Sequence, residues 1–308
     1  MSFNSIIGND AIKNLLTNTI ISKNILHSYM FIGEDGIGKF LFAKEFAKNI
    51  LCENPINGSF CDNCKSCIEF NTNNHPDFLV INPDDGKSIK IEQVRYLQER
   101  VAEKPIVSSK KVYIINDSHL MTKEAQNCLL KTLEEPPEYT VIILVLSNEN
   151  KLLNTIKSRC TKINFSKLSA EEIVEYFHRN LQDFEVTSTL LKVYSGSIGK
   201  ALNLRKETAI YQDLDKMLEN LQSSDIVDLW NNSDILYKSK DTINDLLEYI
   251  NVVFMEYLVQ TNDIRYGNCI KIVEITKNRL LSNANYDMSI DNLLFNIWEE
   301  FHEKYSRC

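Results

Sequence analysis

Along the first 165 residues, short runs of consecutive apolar residues alternate with stretches of helical periodicity. The apolar runs lie at 28–32, 78–81, 112–115, 141–146 and 162–165, and amphipathic stretches at 40–51, 91–101 and 123–134 fall between them. Strands alternating with helices predict βαβ units and a parallel sheet. A run such as VIILVL at 141–146 fits a strand covered on both faces. Beyond Phe165 the strand signal fades. Ser169 and Glu172 have the spacing of a capping box and open a helix over 170–181. Shorter helices are expected at 188–194 and 200–206, separated by Ser195-Gly196. From about 208 to 308 the pattern is helical almost throughout, notably over 243–259 and 266–281. The chain therefore divides into an α/β domain at 1–166, a small helical domain at 167–207 and a helical bundle at 208–308.

With 308 residues, 44% hydrophobic and 25% charged, the chain has the composition of a globular protein able to bury several cores. Nine Gly and six Pro exclude low-complexity and collagen-like readings. The net charge of −8 argues against a free-standing DNA binder, whose affinity would come from neutralising phosphates. Work near DNA would then pass through protein partners; Lys110 and Lys111 alone read as a solvated loop. The first residues carry no basic stretch followed by an apolar one, and the longest apolar run is far shorter than the ~20 residues that cross a bilayer. A cytoplasmic, non-membrane location is expected.

The sharpest local signal is Gly33-Glu34-Asp35-Gly36-Ile37-Gly38-Lys39-Phe40, placed between the first strand and a helix. It follows the phosphate-loop pattern G-x4-G-K, in which Gly33, Gly36 and Gly38 let backbone N–H groups turn inward and Lys39 reaches phosphate oxygens. A plain glycine turn is the competing reading. The pattern then calls for a Ser or Thr hydroxyl on Mg²⁺, and Phe40 has no side-chain oxygen. The strand at 112–115 is followed by Asn116-Asp117, where a metal-assisted ATPase of this type carries Asp-Glu. A neutral amide is a poor metal anchor, and the Asp side chain is one methylene shorter than Glu. Both departures weaken metal handling, so hydrolysis is expected to be lost or feeble. His119 reads as a structural histidine rather than a base.

Cys52, Cys61, Cys64 and Cys67 follow the spacing C-x8-C-x2-C-x2-C. Four thiolates this close suit a closed, structural Zn²⁺ site, with unligated thiols as the alternative. Cys128, Cys160, Cys269 and Cys308 are scattered and read as packing or terminal residues. Arg159, in Ser158-Arg159-Cys160, is by itself an ordinary loop arginine.

Taken together, these segments resemble the clamp-loader branch of the AAA+ ATPases, the bacterial DNA polymerase III subunits delta-prime and gamma/tau. The resemblance rests on Ile6-Ile7-Gly8-Asn9, the strand from His27 leading into GEDGIGK, the four cysteines, NCLLKTLEEPP at 127–137, SRC at 158–160 and SGSIGKAL at 195–202. It implies an AAA+ P-loop domain, a helical lid and an all-α collar that joins a hetero-pentameric ring. It further implies that Arg159 is an arginine finger acting in trans. The motor subunits keep Ser/Thr, Asp-Glu and a lid arginine where this chain has Phe40, Asn116-Asp117 and Gly199. These departures and His75-Pro76-Asp77 favour a delta-prime-like stator. Its partners would be gamma/tau and delta subunits, with the sliding clamp and primed DNA reached through the complex. A working gamma-like motor, and an adaptor that binds ATP or ADP weakly without turnover, are the alternatives.

Overall fold

The structure, a computed structural model, describes residues 3, 6–84, 86–180, 196–199, 202, 208–223, 225–240, 242–282 and 284–302. The residues group into two compact units, one containing residues 1–184 with 196–199 and the other 185–195 with 200–308.

The first unit is built on five parallel strands, β1 (Ser28–Ile32), β2 (Phe78–Ile81), β3 (Lys111–Ile115), β4 (Thr140–Leu146) and β5 (Thr161–Asn164), in the order β2-β3-β4-β1-β5. Pairing is in register from Ser28 opposite Ile142 to Ile32 opposite Leu146. All seven residues of β4 are buried, as an inner strand covered on both sides requires. Alternate residues enter different cores. Tyr29, Phe31, Val112, Ile114, Val141 and Ile143 meet Leu16 of helix α1 (Asp10–Ile21) and Phe42 and Phe46 of α2 (Lys39–Leu51). Met30, Tyr113, Ile115, Ile142 and Leu144 meet Val94 and Leu97 of α4 (Ile91–Ala102) and Leu129 of α5 (Lys123–Glu134). A three-layer α/β sandwich results.

Three shorter helices complete this unit, α3 (Lys65–Asn71), α6 (Asn154–Lys157) and α7 (Ala170–Asn180). The capping box forms at α7, where the Ser169 N–H donates to Glu172 and the Glu172 N–H to the Ser169 hydroxyl, at 2.8 and 3.2 Å. The helices expected at 188–194 and 200–206 lie, apart from Leu202, outside the described residues.

The second unit is helical, α8 (Thr208–Glu219), α9 (Ile226–Asn232), α10 (Asp234–Lys238), α11 (Ile243–Thr261), α12 (Ile264–Leu281) and α13 (Tyr286–His302). Asn262, in the left-handed region at φ 56°, ends α11, and the Asp263 carboxylate accepts the Arg265 N–H to start α12. Leu246, Ile250, Phe254, Cys269, Val273, Leu293 and Leu294 are among its buried residues. Met255, Val259, Ile264, Ile275, Leu281 and Met288 remain more than half exposed. No helix among the described residues is long and apolar enough to cross a membrane.

Candidate functional site

The phosphate loop follows the C-terminal end of β1, and α2 begins at Lys39. Gly36 and Gly38 take φ 76° and 95°, values L side chains rarely adopt, so the backbone can turn its N–H groups inward. Lys39 is buried, and its ammonium donates to the carbonyls of Gly33 and Glu34 at 2.7 and 2.6 Å. Burial pulls its pKa below the ordinary value, opposed chiefly by Asp35, whose carboxylate lies 3.7 Å away. Phe40 packs partly buried against the aromatic core. Asn116 donates to Asn82 and Asp117 at 3.2 and 3.1 Å, so its amide is engaged with neighbouring side chains. His119 approaches the Ser147 hydroxyl at 3.4 Å; burial lowers its pKa, and its Nδ1 is buried without a hydrogen-bond partner among the described residues.

A contact not read from the sequence covers this loop. Ser197 donates its hydroxyl to the Asp35 carbonyl at 2.8 Å, and the Gly199 N–H donates to the Gly36 carbonyl at 2.9 Å. A Cβ on Gly199 would fall 2.6 Å from the Gly36 Cα. The two glycines meet backbone to backbone, and residues 196–199 lie over the crest of the loop.

At the other end of α2, Cys52 is the residue that ends the helix. The sulfurs of Cys52, Cys61, Cys64 and Cys67 all lie within 4.8 Å of one another, with Cys52 and Cys61 at 3.6 Å. A tetrahedron with Zn–S bonds of about 2.3 Å has sulfurs about 3.8 Å apart, so the four thiols fit such an ion. The Cys61 thiol is pulled down to about 7, first by the Asn63 N–H, while burial raises Cys52 and Cys67. No other cluster of three or more candidate metal ligands occurs among the described residues. Cys128, Cys160 and Cys269 stand apart as free thiols, the last two buried; Cys308 lies outside the described residues.

A polar network missed by the sequence reading ties this module to the sheet. His75 is buried; its Nδ1 accepts the Asp77 N–H at 3.0 Å, which makes Nε2 the donor. Nε2 meets the hydroxyls of Ser66 and Ser108 at 2.9 and 3.3 Å, and both hydroxyls donate to the Leu51 carbonyl at 2.7 Å. The Asp77 carboxylate accepts the N–H groups of Ile106, Val107 and Ser108 at 2.8 to 2.9 Å. The His-Pro-Asp stretch therefore binds α2, α3 and the loop before β3 together. Lys48 adds an ion pair to Asp62 at 2.5 Å and lies over the Phe60 ring.

Arg159 stands between α6 and β5. Its carbonyl accepts the hydroxyl of Ser28, the first residue of β1, at 2.6 Å. The phosphate loop follows the last residue of that strand. Five residues at about 3.3 Å each put the two features on the order of 15 Å apart along the strand. Arg159 is thus remote from the phosphate loop of its own chain.

A parallel sheet in this order, with a phosphate loop after β1 and covering helices on both faces, defines a P-loop domain of the AAA+ class. The same fold occurs in a gamma-subunit-related DNA polymerase III protein from Thermotoga maritima, with TM-score 0.51 at 18% identity, over 94% of this chain and 99% of that one. Residues 8–169 match the family described as DNA polymerase III, delta subunit. The tau/gamma subunit of Haemophilus influenzae DNA polymerase III is 31% identical over 80% of this chain and 36% of its own length. The delta' subunit of Bacillus subtilis is 38% identical over 53% of this chain and 49% of its own length. That of Pseudomonas aeruginosa is 33% identical over 67% of this chain and 66% of its own length. The chain belongs to the DNA polymerase III clamp-loader family. Its matches span 25 to 37% of the length of the gamma/tau relatives from Haemophilus influenzae and two Mycoplasma species.

Proposed function

We propose that this chain is a non-hydrolysing, delta-prime-type stator of a DNA polymerase III clamp-loader complex. It would assemble with gamma/tau and delta subunits and help place a sliding clamp on primed DNA. Arg159 acts as an arginine finger in a neighbouring gamma/tau ATPase site, where its planar multi-donor fork offsets charge developing on the transferring phosphoryl group. The observation that carries this reading is the separation of Arg159 from its own phosphate loop, beside a home site without protein oxygens at Phe40 and with an amide at Asn116. Lys39, Gly33, Gly36 and Gly38 keep a cradle for phosphate oxygens, so ATP or ADP binds weakly there without turnover. Cys52, Cys61, Cys64 and Cys67 hold a structural Zn²⁺. The exposed apolar residues of α11 to α13 serve assembly of the collar. Residues 167–207 form the lid and 208–308 the collar.

The test is reconstitution of the complete complex with Arg159→Ala. We expect DNA-stimulated ATPase to fall by about 10³ or more, the range of other arginine fingers; unchanged hydrolysis and clamp loading would remove the reading. The gamma-like motor is favoured by the identity to tau/gamma relatives. ATP hydrolysis by the purified chain, abolished by Lys39→Ala, would establish that motor instead.

A further inference from the structure

We infer that Glu134 is a positioning residue for Arg159, holding the guanidinium in the geometry it uses in trans; this rests on the finger reading above. Arg159 is fixed on three sides. Its carbonyl is bound by Ser28, its Nη1 donates to the Thr155 carbonyl at 2.9 Å, and its Nη2 lies 2.8 Å from Glu134 Oε1 in an ion pair. Cys160, the next residue, is buried. The backbone of the finger is therefore anchored, and only the side chain has freedom to lose.

Glu134 is the last residue of α5, which places its carboxylate at this end of the sheet. Arginine's planar fork is pre-organised, so little rotamer entropy is lost on each hydrogen bond it forms, and the ion pair with Glu134 narrows the orientations it can take. Nη1 meets the Thr155 carbonyl and the Ser158 hydroxyl, and Nη2 is held by charge against Glu134, which leaves the Nε–H and Nη2–H groups without a hydrogen-bond partner among the described residues. These donors remain available to an anionic oxygen on another subunit. Both side chains are partly exposed, at 35% and 49%, so the pair is screened by solvent. Its effect should be that of a surface ion pair, a factor of about three to five in rate.

The experiment compares wild type, Glu134→Gln, Arg159→Ala and the double variant in the complete complex, reading kcat and KM for ATP in clamp- and DNA-stimulated hydrolysis. Glu134→Gln is expected to lower kcat about three- to fivefold with KM unchanged, and to have no further effect in the Arg159→Ala background. A loss from Arg159→Ala with none from Glu134→Gln overturns the positioning role while leaving the finger. Additive losses in the double variant overturn it as well, because Glu134 would then act independently of Arg159. If Arg159→Ala itself has no effect, the finger reading fails and takes this role with it.

Discussion

Helix α2 carries a candidate ligand site at each end, and the two sites depend on different parts of the chain. At its N-terminus the phosphate cradle is a backbone device, set by glycines at positive φ. At its C-terminus the Cys module is a side-chain device, with four sulfurs within 4.8 Å of one another. A backbone cradle survives when the side chains around it change. Phe40 could join the aromatic core because the shape of the loop never depended on a hydroxyl there. The thiol cluster has no such tolerance, since each ligand is itself the site. Three N–H groups point at its sulfurs from within the module, those of Cys61, Cys64 and Cys67, at 3.3 to 3.4 Å. One end of the helix can lose its chemistry and keep its shape; the other keeps or loses both together.

The sharpest way to break this contrast is at the cysteines. Purified chain should contain one Zn²⁺ by elemental analysis, and Cys64→Ser with Cys67→Ser should abolish stoichiometric binding in chelator competition. Structural zinc in small modules contributes on the order of 10 kcal/mol, so the loss should also appear as a lower melting temperature. A metal-free wild-type chain with an unchanged melt would remove the zinc assignment.

A smaller effect is expected at the other end of the helix. Phe40→Thr combined with Asn116→Asp supplies the missing oxygens, and Mg²⁺-dependent affinity for a fluorescent ADP should rise about tenfold, or ~1.4 kcal/mol. Unchanged affinity would move the obstacle to residues 196–199, which lie over the loop.

The smallest test concerns His75. Burial lowers its pKa, and its Nδ1 is committed as an acceptor, so the folded chain keeps the ring neutral. The unfolded chain takes up a proton near pH 6.5. The stability His75 contributes is complete above that pH and falls as pH drops toward the lower folded value, by at most ~1.4 kcal/mol per unit. Denaturant titrations of wild type and His75→Asn should therefore converge between pH 6.5 and 5. A difference independent of pH would exclude His75 as the group responsible.

Much of the α/β unit was legible because its signals are local. The strands at 28–32 and 78–81 and the helix at 123–134 match the pattern to the residue, and the other three strands shift by one residue at one end or both. Alternation between neighbouring segments sufficed for these. Helix α1 precedes the first strand, so the strand–helix alternation does not anticipate it. The contacts that finish the sites join distant residues. Ser197 and Asp35 are 162 positions apart, and Ser108 and Leu51 are 57 apart. Glu134 lies within LEEPP and Arg159 within SRC, yet neither segment advertises that the two side chains meet. Only the packing of α5 against α6, which leads directly into Ser158-Arg159, brings them together.

The close approach of Gly36 and Gly199 makes the present state hard to reverse by small steps. A lid arginine at position 199, as in the motor subunits this chain resembles, would need space that the Gly36 Cα already occupies, 2.6 Å from the new Cβ. Replacing Phe40 and Asn116 would repair the metal ligands and leave that collision in place. If the chain is the non-hydrolysing subunit proposed above, turnover would require residues 196–199 to move before such a side chain could arrive.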